Sequence, residues 1–159
     1  MPEVLQSRGP EVSSGWNDGV STPAAGKPAK FAKLGLVPGQ VVLELGYDED
    51  VDQDFRSGLE SLLGTELEYD DYTGVADAVL LWWRSDDGDL VDALVDSLTN
   101  LADGAGVIVV TPKAGRVGEV DAADIEESAV TAGLHATATV SVGPDWSATR
   151  LLAPKGARR

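Results

Sequence analysis

Five stretches of the chain carry apolar residues in unbroken or alternating runs, and the segments between them repeat apolar residues at helical spacing. Gln40–Leu45 is continuous and apolar up to Glu44, as a strand covered on both faces reads. Asp77–Trp83 (Ala-Val-Leu-Leu-Trp-Trp after the Asp) and Val107–Thr111 have the same character, the latter stopped by Pro112. His135–Val142 alternates, and Ala148–Ala153 follows it after the Pro144-Asp145 turn, which predicts an antiparallel pair. Thr65–Tyr69 reads as a further short strand.

Helices are expected in between. Lys27–Leu36 places Phe31, Leu34 and Leu36 on one side and ends before the Pro38-Gly39 turn signal. Val51, Phe55, Leu59, Leu62 and Leu63 recur at helical spacing before Gly64, with Asp48 as the expected cap and Glu49, Asp50, Asp52 and Asp54 in the first turns, where the helix dipole favours acids. Leu90, Val91, Leu94, Val95, Leu98 and Leu101 form one stripe, with Gly104 at its C-terminal end. Asp121 and Asp124 suit the start of a last helix running to about Ala132. Strands alternating with helices, closed by two adjacent strands, predict an α/β fold with a mostly parallel sheet and helices on both faces.

Composition sharpens this picture. The 159 residues fit a single domain with a sizeable core, expected over residues 30–155. Residues 1–29, rich in Ser, Gly, Pro and Ala, read as a flexible arm in which Trp16 is the residue suited to docking. Residues 156–159 read as a basic tail. No run of apolar residues approaches membrane-spanning length, and Met1–Pro10 has no apolar signal core. With no cysteine there is no disulfide, thiol nucleophile or thiolate metal site, so a cytoplasmic protein is the simplest expectation. The net charge is −15, and residues 34–152 hold 24 acidic against 5 basic side chains. Such a body repels phosphate backbones, which argues against nucleic-acid binding; the charge reads first as a solubility feature, and otherwise as attraction of a basic protein partner or of the protein's own basic tails.

The decisive segment is Val41-Val42-Leu43-Glu44-Leu45-Gly46-Tyr47-Asp48-Glu49-Asp50. It begins like the E-L-G-x-G-x-G loop of S-adenosylmethionine methyltransferases, but Asp48 and Asp50 stand at the second and third glycine positions. Three further stretches carry a family likeness: Lys33-Leu34-Gly35-Leu36 with Pro38-Gly39-Gln40, Thr111-Pro112-Lys113, and Asp145-Trp146-Ser147-Ala148-Thr149-Arg150-Leu151. Together with the Asp77–Trp83 strand, these resemble a family of short bacterial proteins, a domain of unknown function common in actinobacteria. Its distant kin are Rossmann-like methyltransferases. The resemblance spans roughly residues 30–155 and implies a truncated methyltransferase-like sheet. A helix, a strand and a second helix that a full methyltransferase carries before the Asp77 strand are missing.

That resemblance also implies where a cofactor would lie: at Glu44, Gly46, Asp48 and Glu68, with Glu68 or Asp70 in the place of the acid that holds the ribose. Glycines in such a loop let backbone approach a ligand, and acids there remove that access. The loop is therefore read as a helix start, with no cofactor expected. Binding candidates at the carboxyl ends of the strands are Trp83, Arg84 and Lys113, with Arg116 beside the last, and Trp146 before the final strand. His135, the single histidine, lies away from that edge, and no metal-ligand spacing appears. The expectation is a methyltransferase-like module that binds a protein. The alternative is a small-molecule methyltransferase using S-adenosylmethionine through an altered loop.

Overall fold

The computed structural model describes residues 26–153, with side chains from Lys30 onward. The arm with Trp16 and the tail with Lys155, Arg158 and Arg159 lie outside the described residues. Phe31 onward makes one compact unit. The described elements are α1 (Gly26–Lys33), β1 (Val42–Leu45), α2 (Gln53–Leu63), β2 (Ala76–Trp82), α3 (Leu90–Ser97), β3 (Leu101–Pro112), α4 (Ala122–Thr131), β4 (His135–Val142) and β5 (Trp146–Leu152).

The five strands make one open sheet in the order β1-β2-β3-β5-β4. β1, β2 and β3 run parallel, while β5 is antiparallel to both β3 and β4. Period-two alternation sorts the central strands onto two cores. Val42, Leu80, Trp82, Ile108 and Val110 face one side, under Phe31, Leu34, Phe55 and Leu59. Leu43, Val79, Leu81, Trp83, Val107 and Val109 face the other, under Leu90, Leu94, Ile125 and Ala129. The expected α/β sheet with helices on both faces is present.

Several boundaries depart from the sequence reading. Asp52, not Asp48, caps α2: its Oδ1 accepts from the Phe55 amide at 2.7 Å. The expected strand over residues 65–69 reduces to one bridge, Glu68 on Leu43, because the Asp70-Asp71 turn follows at once. Glu68 accepts from the Glu44 amide at 2.8 Å and donates to Val42 at 2.9 Å, so it borders β1 through backbone alone. α3 stops at Ser97, and Leu101 opens β3 opposite Ala76 instead of ending the helical stripe. Asn100 decides this. Its carbonyl accepts from Ala76 and its side chain donates to the Tyr72 and Gly74 carbonyls, which pins the turn to the entry of β2. Gly104 therefore lies within β3, and Val95 stands half exposed rather than buried. β5 begins at Trp146, two residues earlier than expected, since Trp146 pairs with both Pro112 and Val142.

Candidate functional site

The carboxyl ends of β1 and β2 come together at Gly46. Its φ of 77° lies in the left-handed region, and a Cβ there would overlap the Trp82 carbonyl oxygen. Close packing of the β1–α2 loop on the end of β2 thus accounts for this glycine. Arg84, two residues past β2, then holds the loop down. Its Nη1 donates to the Gly46 carbonyl at 2.7 Å, and its Nη2 and Nε donate to the Asp50 carboxylate at 2.5 and 3.1 Å. Asp87 accepts from the Arg84 amide at 3.0 Å and lies 3.4 Å from its guanidinium. Trp146 closes the other side. Its indole donates to the Asp50 carbonyl at 3.2 Å, and the Arg84 guanidinium lies 5.4 Å from the centre of its ring.

The electrostatics follow from these contacts. The hydrogen bond from Arg84, reinforced by its charge, holds the Asp50 carboxyl below the usual aspartate range, against the opposing effect of partial burial. Burial alone would lower the pKa of Arg84, but its hydrogen bonds to Asp50 and then Asp87 raise it overall.

Glu44, one strand layer deeper, is equally engaged. Its side chain has no solvent exposure. It accepts from Arg56 Nε and Nη2 at 2.7 and 2.8 Å and from the Trp82 indole at 2.8 Å. Those are three charge-assisted bonds on one carboxylate, two of them from a guanidinium fork. The hydrogen bond to Glu44 drives the Arg56 pKa above its ordinary value. Arg56 also stacks 4.6 Å over the ring of Tyr47, whose hydroxyl accepts from Gln53 at 2.9 Å.

Four of the sequence-derived candidates meet. Gly46, Asp48, Trp83 and Arg84 border one cavity of about 390 Å³ on the α3 side of the sheet. Glu44 and Glu68 do not line it, so the cavity between Gly46 and Trp83 stops short of Glu68. Asp48 accepts from the Glu49 amide and reaches no helix amide. Trp83 is buried rather than presented as a surface aromatic, and it separates this cavity from a second of about 460 Å³ at the start of α4. Trp146 is buried edge-on against Trp82 at 5.0 Å. Lys113 belongs to another locus, where it donates to Ser141 Oγ and the Gly143 carbonyl and so ties down the β4–β5 turn. Arg116 pairs with Asp145 at the surface, and His135 is exposed at the start of β4. Among the described residues no three potential ligands cluster for a metal, and no helix is long and apolar enough to cross a membrane.

The Arg84–Asp50 and Arg56–Glu44 pairs escaped the sequence reading. Their one sequence signal is scarcity: each uses one of the five cations between residues 34 and 152.

Residues 31–155 match the family model described as "Protein of unknown function (DUF3052)". The chain belongs to this family. A relative in Mycobacterium tuberculosis strain H37Rv, "Uncharacterized protein Rv2239c", is 44% identical over 155 residues, covering 98% of this chain and 96% of the relative. "Uncharacterized protein Mb2263c" of Mycobacterium bovis matches to the same extent. Among solved structures, the chain is similar to a SAM dependent methyltransferase from Aquifex aeolicus, with TM-score 0.53 and 12% identity over 80% of this chain and 89% of that one. It is also similar to the O-methyltransferase NcsB1 from neocarzinostatin biosynthesis, with TM-score 0.54 and 18% identity over 82% of this chain and 53% of that one. At such identities the likeness establishes a Rossmann-like methyltransferase fold and nothing about activity.

Proposed function

We propose that this chain is a methyltransferase-fold module that binds a basic protein partner and does not carry out classical S-adenosylmethionine-dependent methyl transfer. The observation that carries this reading is the Arg84 clamp. One side chain bonds both the Gly46 carbonyl and the Asp50 carboxylate. It thereby crosses the loop whose backbone, in the glycine pattern, lies open to the cofactor. The residues present do not fit S-adenosylmethionine in that manner. Gly46 faces the Trp82 carbonyl, Asp48 and Asp50 carry side chains where bare backbone is needed, and Asp52 already takes a first-turn amide of α2. Glu44, the acid of the pattern, is fully occupied by Arg56 and Trp82. The surplus of carboxylates supports the choice of a basic partner, because complementary charge speeds and orients encounter.

A second reading, a small-molecule methyltransferase with an altered pocket, is favoured by one observation. The 390 Å³ cavity lies at the carboxyl ends of β1 and β2, where open α/β sheets bind ligands, and falls within the size range of small-molecule sites. Titration calorimetry of the full chain with S-adenosylmethionine and with its demethylated product separates the two. No heat of binding is expected from either. Saturable micromolar binding of either would overturn the first reading in favour of the second.

A further inference from the structure

The 460 Å³ cavity beyond Trp83 has a chemistry that the clamp does not use. Trp83, Leu90 and Val120 line it together with the carboxylates Asp89, Glu119 and Asp124 and the hydroxyl residues Ser85 and Ser128. No lysine, arginine or histidine lines it. Asp89 is engaged in capping α3, accepting from the Val91 amide at 2.9 Å, and Glu119 accepts from the Gly115 amide at 3.0 Å through one oxygen. The Asp124 side chain has no hydrogen-bond partner among the described residues. An anionic ligand is excluded by three carboxylates without a counter-charge.

An independent observation comes from Trp83 itself. Its relative exposure is 8%, yet its indole N–H has no acceptor among the described residues, whereas those of Trp82 and Trp146 are both bonded. A buried donor needs an acceptor, and at a cavity wall that acceptor is either water or a bound group that displaces it. Trp83 borders both cavities, but the 390 Å³ one already contains the Arg84 cation. The 460 Å³ one offers an aromatic ring in its wall, a carboxylate without a protein partner among the described residues and no resident cation. This combination fits an aliphatic stem ending in a positive charge, with a hydrogen-bond acceptor close behind it.

We propose that this cavity receives a lysine or arginine side chain from an extended basic segment of the partner. Its stem lies on Trp83, Leu90 and Val120, its cation faces Asp124 and Glu119, and a backbone carbonyl of the segment accepts from the Trp83 indole. The proposal rests on the protein-binding reading above and specifies where the partner enters.

The test is fluorescence anisotropy of a labelled peptide of alternating lysine and glycine, titrated with the full chain at ~0.15 M salt, near the cellular range. Paired neutralisation, Glu119→Gln with Asp124→Asn, is expected to weaken binding about tenfold, and Trp83→Phe, which keeps a ring and removes the N–H, about fivefold. Glu126→Gln with Glu127→Gln, the same charge change on the exposed side of α4, is expected to change it less than about twofold. Circular dichroism confirms that each variant is folded, and a misfolded Trp83→Phe leaves the two charge pairs as the deciding comparison. Equal losses in both charge pairs would overturn the proposal, since binding would then follow the general field. So would no binding of the peptide by the unaltered chain. Spermidine binding as tightly as the peptide with the same variant profile would overturn the peptide assignment in favour of a free amine. Calorimetry keeps the two readings apart. Cofactor binding with the peptide profile intact would sink the non-catalytic reading alone, and a flat peptide profile without cofactor binding would sink this one alone.

Discussion

Removing Arg56 should unfold much of what holds the β1–α2 unit in place. In Arg56→Met the Glu44 carboxylate would remain fully buried and lose two of its three donors, keeping only the Trp82 indole at 2.8 Å. Breaking a buried ion pair from one side costs about 3–5 kcal/mol, because the remaining charge stays desolvated. The stacking of Arg56 on Tyr47 at 4.6 Å adds about 0.5 kcal/mol at this partly exposed position. A total of about 4.5 kcal/mol follows, a large share of the 5–15 kcal/mol typical of a domain. With a urea slope of about 2 kcal/mol/M, the midpoint should fall by about 2 M at pH 7.

The assay is urea unfolding followed by circular dichroism, with two companion variants. Glu44→Gln keeps an acceptor for Arg56 and Trp82 and should cost less, about 1–2 kcal/mol. Glu44→Gln combined with Arg56→Met removes both charges, keeps an acceptor for the buried Trp82 indole and should recover part of the loss. A loss below about 1 kcal/mol in Arg56→Met would refute the argument, as would a double variant no better than the single one. Either result would mean that Glu44 is not committed to the fold and is free to meet a ligand, as the glycine-loop pattern implies for its acid.

Other outcomes follow from the same loop. Asp52→Ala should cost about 1 kcal/mol through loss of the α2 cap, whereas Asp48→Ala should stay within about 0.5 kcal/mol; thermal unfolding of both would reverse the cap assignment if their order were inverted. The Asp50 pKa is depressed in the folded state, so the Arg84 pair stabilises above the ordinary aspartate value of 3.8 and loses that effect as pH falls through the folded value. Because the Asp50 side chain is 54% exposed, the contribution is at most about 1 kcal/mol. Asp50→Asn should therefore be less stable than the parent at pH 7, with the gap shrinking as pH falls below 3.8; a gap that does not change with pH would contradict the pairing.

The sheet was legible because its strands are marked by their own local pattern. Asp77–Trp83 and Val107–Thr111 are apolar on both faces, and only a central strand covered by helices on each side uses such a run. The failures occurred where two structures share one pattern. Leu101 continues the three- and four-residue stripe of Leu94 and Leu98 as well as it opens a strand, and only the bonds of Asn100 to Tyr72, Gly74 and Ala76 choose between them. The cap of α2 was ambiguous for a related reason. Five carboxylates stand between Asp48 and Asp54, and local propensity ranks them alike. The choice of Asp52 is seen only in three dimensions: its carboxylate packs against the bare Cα of Gly143, where a Cβ would collide with it.

The same distinction governs the reading of Gly46. In sequence it looks like the surviving member of a set of three, and the set implies backbone left open to a ligand. In the folded chain it serves a contact 36 residues further on, with the Trp82 carbonyl, and its own carbonyl is bonded by Arg84. A glycine held by packing persists whether or not a ligand is bound, so its presence does not argue for the cofactor. The replacements at positions 48 and 50 carry more weight. Asp50 is half of an ion pair whose other half, Arg84, is the cation closest to β2 in sequence within an acidic body. Loss of Arg84 would remove the clamp and loss of Asp50 would leave only the Arg84 bond to the Gly46 carbonyl, which ties the departure from the glycine pattern to a gain in self-contained structure. The loop at the carboxyl end of β1 is thereby held by the chain's own side chains, beside the 390 Å³ cavity. The Trp83 indole and the exposed Asp124 carboxylate, which have no hydrogen-bond partner among the described residues, lie toward α4, and a partner that binds at this edge should engage there.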